Sequence, residues 1–241
     1  MQWVVLLLGF IIGSFLNVCI YRIPKGESVA FPSSHCPSCG HIIKWYENIP
    51  VFSYIFILRG RCSGCKGSIS IQYPIVEFIT GILFYLFFLR FGLGVQGIKY
   101  LILICLLVVG IWVDFIHYYI PDRISLSIFI IGIMTSFFTI GFERSILGAG
   151  IFALFYIVLY GYGESVGHEI MGFGDVKLAM GIGAMVGYFS LYQVFMFLNI
   201  AFVLGAIIGV GLILLKKKNR KDIMPFGPYI AIAGLVVGYL S

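Results

Sequence analysis

Two aspartates in apolar surroundings are the residues of this 241-residue chain best suited to chemistry. Asp175 lies in the segment 171–178, which reads MGFGDVKL, and Asp114 lies inside the apolar run from Leu101 to Phe115. Ionisable groups within membrane segments are costly to bury and are therefore candidates for function. Of two neighbouring carboxyl groups, the ionised one can take a proton from water while the protonated one donates to a scissile carbonyl. Such a pair is typical of aspartic-protease chemistry, which needs no metal.

The glycines before Asp175 are the second feature. Gly172 and Gly174 allow the backbone to turn or to pass close to a substrate, and Asp175 is expected at or near the start of a helix, where free N–H groups favour an anion. A G-x-G-D motif alone is equally consistent with an aspartate that only caps its helix, and the intramembrane Asp114 favours chemistry. We therefore predict two catalytic residues, Asp114 and Asp175, and three substrate-binding residues, Gly172, Gly174 and Lys177.

Four cysteines form two C-x-x-C pairs, with 22 residues between the inner two. This spacing is typical of a tetrahedral Zn²⁺ site, and a segment of about fifty residues without a large core needs such a clamp. Gly40 and Gly64 suit the tight turns of the two pairs. The alternative is two disulfides, which the cytoplasmic location predicted below argues against. The predicted ligands of the zinc ion are Cys36, Cys39, Cys62 and Cys65.

The elements that must position these residues are membrane helices. Hydrophobic residues make up 61% of the chain, charged residues 11%, and the mean hydropathy is +1.05. These values predict an all-α polytopic membrane protein with about eight transmembrane helices, in contact with the lipid bilayer, and a small cytoplasmic zinc-knot domain inserted after helix 1. The apolar runs lie near 2–21, 74–92, 97–117, 123–141, 145–162, 176–190, 191–215 and 225–241.

The basic residues predict the orientation of these helices. If eight helices alternate across the membrane, thirteen of the sixteen Lys and Arg residues fall on one side, which is then the cytoplasmic side. The net charge of +6 therefore reports topology and does not indicate binding to nucleic acid. The predicted domains are a transmembrane helix at 1–21, a cytoplasmic cysteine-rich zinc domain at 22–73 and a membrane peptidase domain at 74–241. Asp114 and Asp175 then arrive at the same depth, near the cytoplasmic face.

Three glutamates are further candidates for substrate binding. Glu77 is expected in the first turn of a helix, where a carboxylate suits the helix dipole. Glu164 and Glu169 lie in the segment 161–174, whose glycines predict a mobile lid with acids that attract a basic peptide. The alternative for both is a solvated loop charge. Asp122 is expected to cap the helix that follows it.

A series of short motifs extends along nearly the whole chain. They are GSFLNV at 13–18, YRIP at 21–24, NIP at 48–50, LRGRC at 58–62, YPIVE at 73–77, VD at 113–114, IPD at 120–122, GFGDVKL at 172–178 and MPFGP at 224–228. With the two cysteine pairs, this set resembles the type IV prepilin peptidase family, which are membrane aspartic proteases of the G-x-G-D class.

The resemblance implies a function. Members cleave the basic leader of type IV prepilins or pseudopilins after a glycine, at the cytoplasmic face of the bacterial inner membrane, and the family's catalytic aspartates match Asp114 and Asp175. Many members with the cysteine-rich domain also methylate the new N-terminus with S-adenosylmethionine, although the chain has no glycine-rich nucleotide motif of the usual kind. The alternative from another class is a membrane transporter or scaffold, because intramembrane aspartates also mark proton relays.

Overall fold

The computed structural model describes residues 1–167, 171–219 and 224–241, and this part of the chain is helical without β-strands. The apolar runs fold into eight α-helices in these ranges. They are α1 (Gln2–Arg22), α2 (Gln72–Phe91), α3 (Val95–His117), α4 (Asp122–Ser136), α5 (Phe142–Val166), α6 (Phe173–Val186), α7 (Leu191–Leu214) and α8 (Gly227–Leu240).

Five helices in the described ranges, α1, α2, α3, α5 and α7, are long and apolar enough to cross a membrane. The other three, α4, α6 and α8, have 15, 14 and 14 residues. A helix of that length extends about 21 Å, against a hydrocarbon core of about 30 Å. The all-α membrane fold is therefore confirmed. The expectation of about eight helices matches the number of helices, while only five of them have the length and composition of membrane spans.

The chain divides into two compact units, Met1–Gly92 and Leu93–Ser241. In the first unit, α1 and α2 pack antiparallel, because Gly9 faces Gly81 whereas Gly13 faces Glu77. A Cβ atom built on Gly13 would lie 2.7 Å from the Cα atom of Glu77, so only glycine permits this approach. Small residues at a helix contact are the usual means by which membrane helices pack closely.

In the second unit, α6 is the central helix, and ten of its fourteen residues are buried. Its C-terminal end lies inside the protein, where free carbonyl groups need donors. Lys99 of α3 donates from its Nζ atom to the carbonyl of Met185 at 2.9 Å, and Ser145 of α5 donates to the carbonyl of Ala184 at 2.7 Å. This short helix can end inside the unit because side chains of neighbouring helices satisfy its C-terminal carbonyl groups.

Part of the predicted lid is helical. The segment from Gly161 to Val166 forms the last turns of α5, which ends only at Gly167 with a left-handed φ of 72°. The expectation of a loop beginning at Gly161 was wrong, because the apolar and aromatic residues of this stretch continue the helix despite its glycines. Glu164 is therefore a helical residue near the C-terminal end of α5.

Candidate active site and metal centre

Asp114 lies in the last turn of α3 and is only 5% exposed. The backbone N–H of Gly227, the first residue of α8, donates a hydrogen bond of 3.1 Å to its Oδ2 atom. The start of α8 therefore faces this carboxylate with a free N–H group and the positive end of its dipole. A Cβ atom at Gly227 would lie 2.6 Å from the same oxygen, so a side chain at this position would displace the carboxyl group.

Asp175 is the third residue of α6 and is 8% exposed. Gly172 is the N-cap of this helix, and its carbonyl accepts a hydrogen bond of 3.1 Å from the Asp175 N–H. The Asp175 carboxyl group in turn interacts with the Gly172 N–H. The contact of this carboxyl group with the N-cap N–H is one half of a capping box, and it fixes the direction of the carboxyl group.

The two carboxyl groups belong to one site. They lie close enough to interact electrostatically. Ile120 packs beside both, since Cβ atoms built on Gly174 and Gly227 would lie 3.6 Å and 2.8 Å from its side chain. Two enclosed carboxyl groups in an apolar setting can divide the roles of general base and general acid, and such an arrangement is able to hydrolyse a peptide bond.

Lys177 lies two residues after the catalytic candidate Asp175, and its side chain makes contacts within the second unit. Its Nζ atom donates to Oδ1 of Asp122 at 2.8 Å and lies 4.9 Å from the centre of the Phe173 ring. The pair links the first residue of α4 to the fifth residue of α6. Asp122 makes no capping hydrogen bond in α4, so its predicted role as a helix cap was wrong.

The four cysteine sulfur atoms form one cluster within 4.8 Å of one another. Two Sγ pairs, Cys36 with Cys65 and Cys39 with Cys62, are each 4.0 Å apart. A tetrahedral zinc ion with Zn–S bonds of about 2.3 Å places its sulfur ligands about 3.8 Å apart, so the donor set fits this metal. The thiols are free and form no disulfide, which agrees with the zinc interpretation.

Each cysteine pair folds into the same turn. The Cys36 N–H donates to the His41 carbonyl and the Cys62 N–H to the Gly67 carbonyl, both at 2.9 Å. The residues that follow the second cysteine of each pair, Gly40 and Lys66, have left-handed φ values of 71° and 60°. The equivalent of Gly40 is therefore Lys66. Gly64 lies within the second turn, between the two cysteines, where a Cβ atom would lie 3.1 Å from the Cβ atom of His41.

Hydrogen bonds favour the charged forms of Cys36 and Glu47, whereas the pKa of the Cys39 thiol in the same cluster is raised to about 11. The backbone N–H groups of Ser38 and Cys39 lower the pKa of the Cys36 thiol to about 7, which favours the thiolate that binds metal. The Ser63 side chain and the Lys44 N–H lower the pKa of the Glu47 carboxyl below its usual range. Glu47 also contacts the His41 ring at 3.3 Å, and the Ser63 hydroxyl lies 2.9 Å from Nε2 of the same ring, so His41 links the segment after the first pair to the turn of the second pair.

Two family profiles match the chain. The Bacterial Peptidase A24 N-terminal domain matches residues 7–91, and the Type IV leader peptidase family matches residues 101–210. A protein of Xanthomonas campestris pv. campestris named prepilin leader peptidase/N-methyltransferase is 35% identical over 256 residues, which cover 95% of this chain and 88% of the relative. The chain belongs to the type IV leader peptidase family.

Further relatives carry the same name. One from Pseudomonas putida is 34% identical over 254 residues, covering 95% of this chain and 87% of the relative. One from Myxococcus xanthus is 36% identical over 211 residues, and the matched part is 86% of this chain but only 62% of that relative. No solved structure matches the chain.

Of the three glutamates predicted to bind substrate, Glu77 and Glu164 lie in different units of this chain. Glu77 is in the first unit, on α2, where its Oε2 atom accepts a hydrogen bond of 2.7 Å from the Val51 N–H. Glu164 is exposed on the last turns of α5 and accepts a hydrogen bond of 2.7 Å from the Tyr160 hydroxyl. Glu169 lies outside the described residues.

Sequence reasoning missed three residues near the carboxyl pair. The N–H of Gly227 binds the carboxyl group of Asp114. In the sequence, only the position of Gly227 in the motif at 224–228 could have indicated this role. Tyr156 and Tyr229 are fully enclosed and lie within electrostatic range of Asp175 and Asp114, respectively. Nothing in the spacing of these tyrosines along the chain distinguishes them from residues that fill a helix core.

Proposed function

We propose that this family member is a membrane aspartic endopeptidase that removes the leader from prepilins and then methylates the new N-terminus. The observation that carries this proposal is the enclosed carboxyl pair of Asp114 and Asp175, formed within one unit of a chain whose relatives are named prepilin leader peptidase/N-methyltransferase. The two aspartates are the catalytic residues.

The chemistry follows from the two carboxyl groups. The ionised group accepts a proton from a water molecule while the water oxygen attacks the scissile carbonyl carbon, and the protonated group donates its proton to the carbonyl oxygen. The C–N bond of the tetrahedral intermediate then breaks, the leaving nitrogen takes the proton that came from water, and a hydroxyl group of the intermediate returns a proton to the carboxyl group that had donated one. Gly227 and Gly172 orient the two carboxyl groups for these transfers through their backbone N–H groups.

The substrates are type IV prepilins or pseudopilins in the bacterial inner membrane, cleaved at its cytoplasmic face. The unequal distribution of Lys and Arg between the two sides of the helices supports this orientation. Gly172 and Gly174 leave room for the peptide next to Asp175, and Lys177 supports that turn through its ion pair with Asp122. Glu164 and Glu169 attract the basic leader.

A zinc ion held by Cys36, Cys39, Cys62 and Cys65 supports the cysteine-rich segment. The donor set suits this metal, since four thiolates in a compact cluster complete a closed, structural shell. The ion clamps a segment that contributes little apolar core of its own. The carboxyl pair needs no metal for its reaction.

The methyl donor is S-adenosylmethionine, as the names of the relatives suggest. When bound, it would supply a methyl group that passes from its sulfonium sulfur to the nitrogen of the new N-terminus, which gives up one proton.

The test uses purified full-length protein in detergent and a synthetic peptide with a basic leader followed by an apolar segment. Mass spectrometry should detect the free leader without S-adenosylmethionine and a product heavier by one methyl group when it is added. A peptide that stays intact under all conditions would contradict the proposal and favour a non-enzymatic membrane protein with a proton relay.

A further inference from the structure

Tyr156 of α5 faces the first turns of α6, because the two helices pack antiparallel. Near the start of α5, the Ser145 hydroxyl donates at 2.7 Å to the carbonyl of Ala184, which lies near the end of α6. Near the end of α5, the centres of the Tyr160 and Phe173 rings are 5.3 Å apart, and Phe173 begins α6. Tyr156 lies one turn before Tyr160, so this packing places it beside the residues within one turn after Phe173.

Asp175 lies in that turn of α6, two residues after Phe173. The Tyr156 hydroxyl lies within electrostatic range of its carboxyl group. The Gly172 N–H is the backbone donor to this carboxyl group, whereas a carboxylate offers roughly four acceptor positions. The carboxyl group of Asp175 can therefore accept a further hydrogen bond from a hydroxyl group on α5.

The Tyr156 hydroxyl is enclosed and unpaired. The residue is fully buried, and its hydroxyl has no hydrogen-bond partner within residues 1–167, 171–219 and 224–241. The centre of its ring lies 6.1 Å from those of Phe197 and Phe202 in α7. Phenylalanine would make the same ring contacts, whereas an enclosed hydroxyl without a partner destabilises the fold. The packing of the ring therefore does not account for the hydroxyl group.

We propose that Tyr156 is a positioning residue of the peptidase whose hydroxyl donates a hydrogen bond to the carboxyl group of Asp175 while that group is ionised. The inference rests on the peptide cleavage proposed above. Each carboxyl group is ionised at one stage of that reaction, because the base starts as the anion and the acid becomes one after it gives up its proton. A hydrogen bond to a charged acceptor is stronger than one between neutral groups. Tyr156 keeps its own proton throughout.

The state of the hydroxyl in this structure agrees with such a role. Catalytic hydrogen bonds are often long or poorly aligned in a free enzyme and tighten when substrate binds. An unpaired donor beside an enclosed carboxyl group is the arrangement expected before this tightening. The hydrogen bond then orients and stabilises the Asp175 carboxylate together with the Gly172 N–H.

The experiment measures kcat, KM and thermal unfolding of the full-length Tyr156→Phe variant with the synthetic prepilin peptide. We expect kcat to fall roughly 10- to 100-fold, the usual effect of one hydrogen bond to a charged group. KM should stay within about twofold, because the lost hydroxyl binds Asp175 and not the peptide. The unfolding temperature should be unchanged or higher, since an unpaired buried hydroxyl is removed.

Tyr100→Phe is the matched control, because Tyr100 is also fully buried but lies about 21 Å along α3 from Asp114. It should keep the wild-type kcat. A second variant carries p-aminophenylalanine at position 156, which restores an N–H donor at the place of the hydroxyl. We expect it to cleave at least about threefold faster than Tyr156→Phe.

Wild-type kcat in Tyr156→Phe would overturn this inference and leave the peptidase proposal standing. A loss of kcat that comes with a lower unfolding temperature, and that p-aminophenylalanine does not reverse, would also overturn it by showing a structural role. A wild-type protein that leaves the peptide intact would end both proposals.

Discussion

The backbone N–H of Gly227 donates a hydrogen bond to the Oδ2 atom of Asp114, 3.1 Å away and 113 positions earlier in the sequence. The first residue of α8 thus fixes the orientation of a carboxyl group on the last turn of α3. A side chain at Gly227 would press on both this carboxyl group and the Cδ1 atom of Ile120, at 2.6 Å and 2.8 Å. Through this hydrogen bond, the motif at 224–228 contributes to a site whose two carboxyl groups lie on α3 and α6.

Gly227→Ala should therefore lower kcat for peptide cleavage by roughly 10- to 100-fold, because a small displacement of a catalytic group has that order of effect. KM should change less, since the added methyl group moves Asp114 and leaves the peptide contacts in place. Gly211→Ala in α7 is the control, because a Cβ atom there meets nothing within 4 Å. A Gly227→Ala enzyme with wild-type kcat would show that the contact does not position Asp114.

The ion pair between Lys177 and Asp122 should contribute modestly to activity. Both side chains are partly exposed, at 32% and 72%, and exposed pairs contribute about 0.2–1 kcal/mol. We expect Lys177→Gln and Asp122→Asn each to lower kcat/KM by no more than about fivefold, and the double variant to be no worse than either single one. Loss of more than about 100-fold in Asp122→Asn alone would mean that this carboxylate takes part in the reaction.

Glu164 should act on the basic leader through its charge. The side chain is exposed at the end of α5, so Glu164→Gln together with Glu169→Gln should raise KM for a basic leader about tenfold or less, with kcat nearly unchanged. The effect should shrink for a leader whose lysines are neutralised. Tyr160→Phe removes the hydroxyl that donates to Glu164 and keeps the charge, so it should leave KM unchanged. Equal losses on charged and neutral leaders would contradict a role in attraction.

Replacement of the four clustered cysteines by serine should abolish zinc binding. The wild-type protein should contain about one zinc ion per chain, because a closed four-thiolate shell holds one metal. Elemental analysis of purified protein is the measurement, and Cys105→Ser in α3 is the control that should retain zinc. An unchanged zinc content in the quadruple variant would show that these cysteines do not bind the metal. Peptide cleavage should remain detectable as far as the variant stays folded, since the carboxyl pair needs no metal.

Local signals in the sequence were sufficient for two parts of the molecule. The glycine turn before Asp175 predicted a carboxyl group at a helix start, and the structure places it in the first turn of α6. The spacing of the cysteines predicted a cluster, and the four sulfur atoms are together. In both cases a short segment and its own hydrogen bonds determine the geometry.

Contacts between distant segments were not readable in the same way. The Lys177–Asp122 pair spans 55 positions, so the neighbours of Asp122 in sequence indicated a helix cap instead. The glycines after Gly161 suggested a loop, whereas Gly163 lies within α5 and the helix ends only at Gly167. The left-handed φ of Lys66 was missed, because this conformation is typical of glycine and no local signal indicates it at a lysine. Each of these three features departs from what the neighbouring residues in the sequence suggest.

The most direct test of the carboxyl pair is the cleavage rate of Asp114→Asn and Asp175→Asn, measured with purified protein and a synthetic prepilin peptide. Each variant should lose cleavage by roughly 1,000-fold or more, since neither half of an acid–base pair works alone. Zinc content and thermal unfolding should match the wild type and show that the variants remain folded. Near-normal cleavage by either variant would contradict the assignment of that aspartate as catalytic.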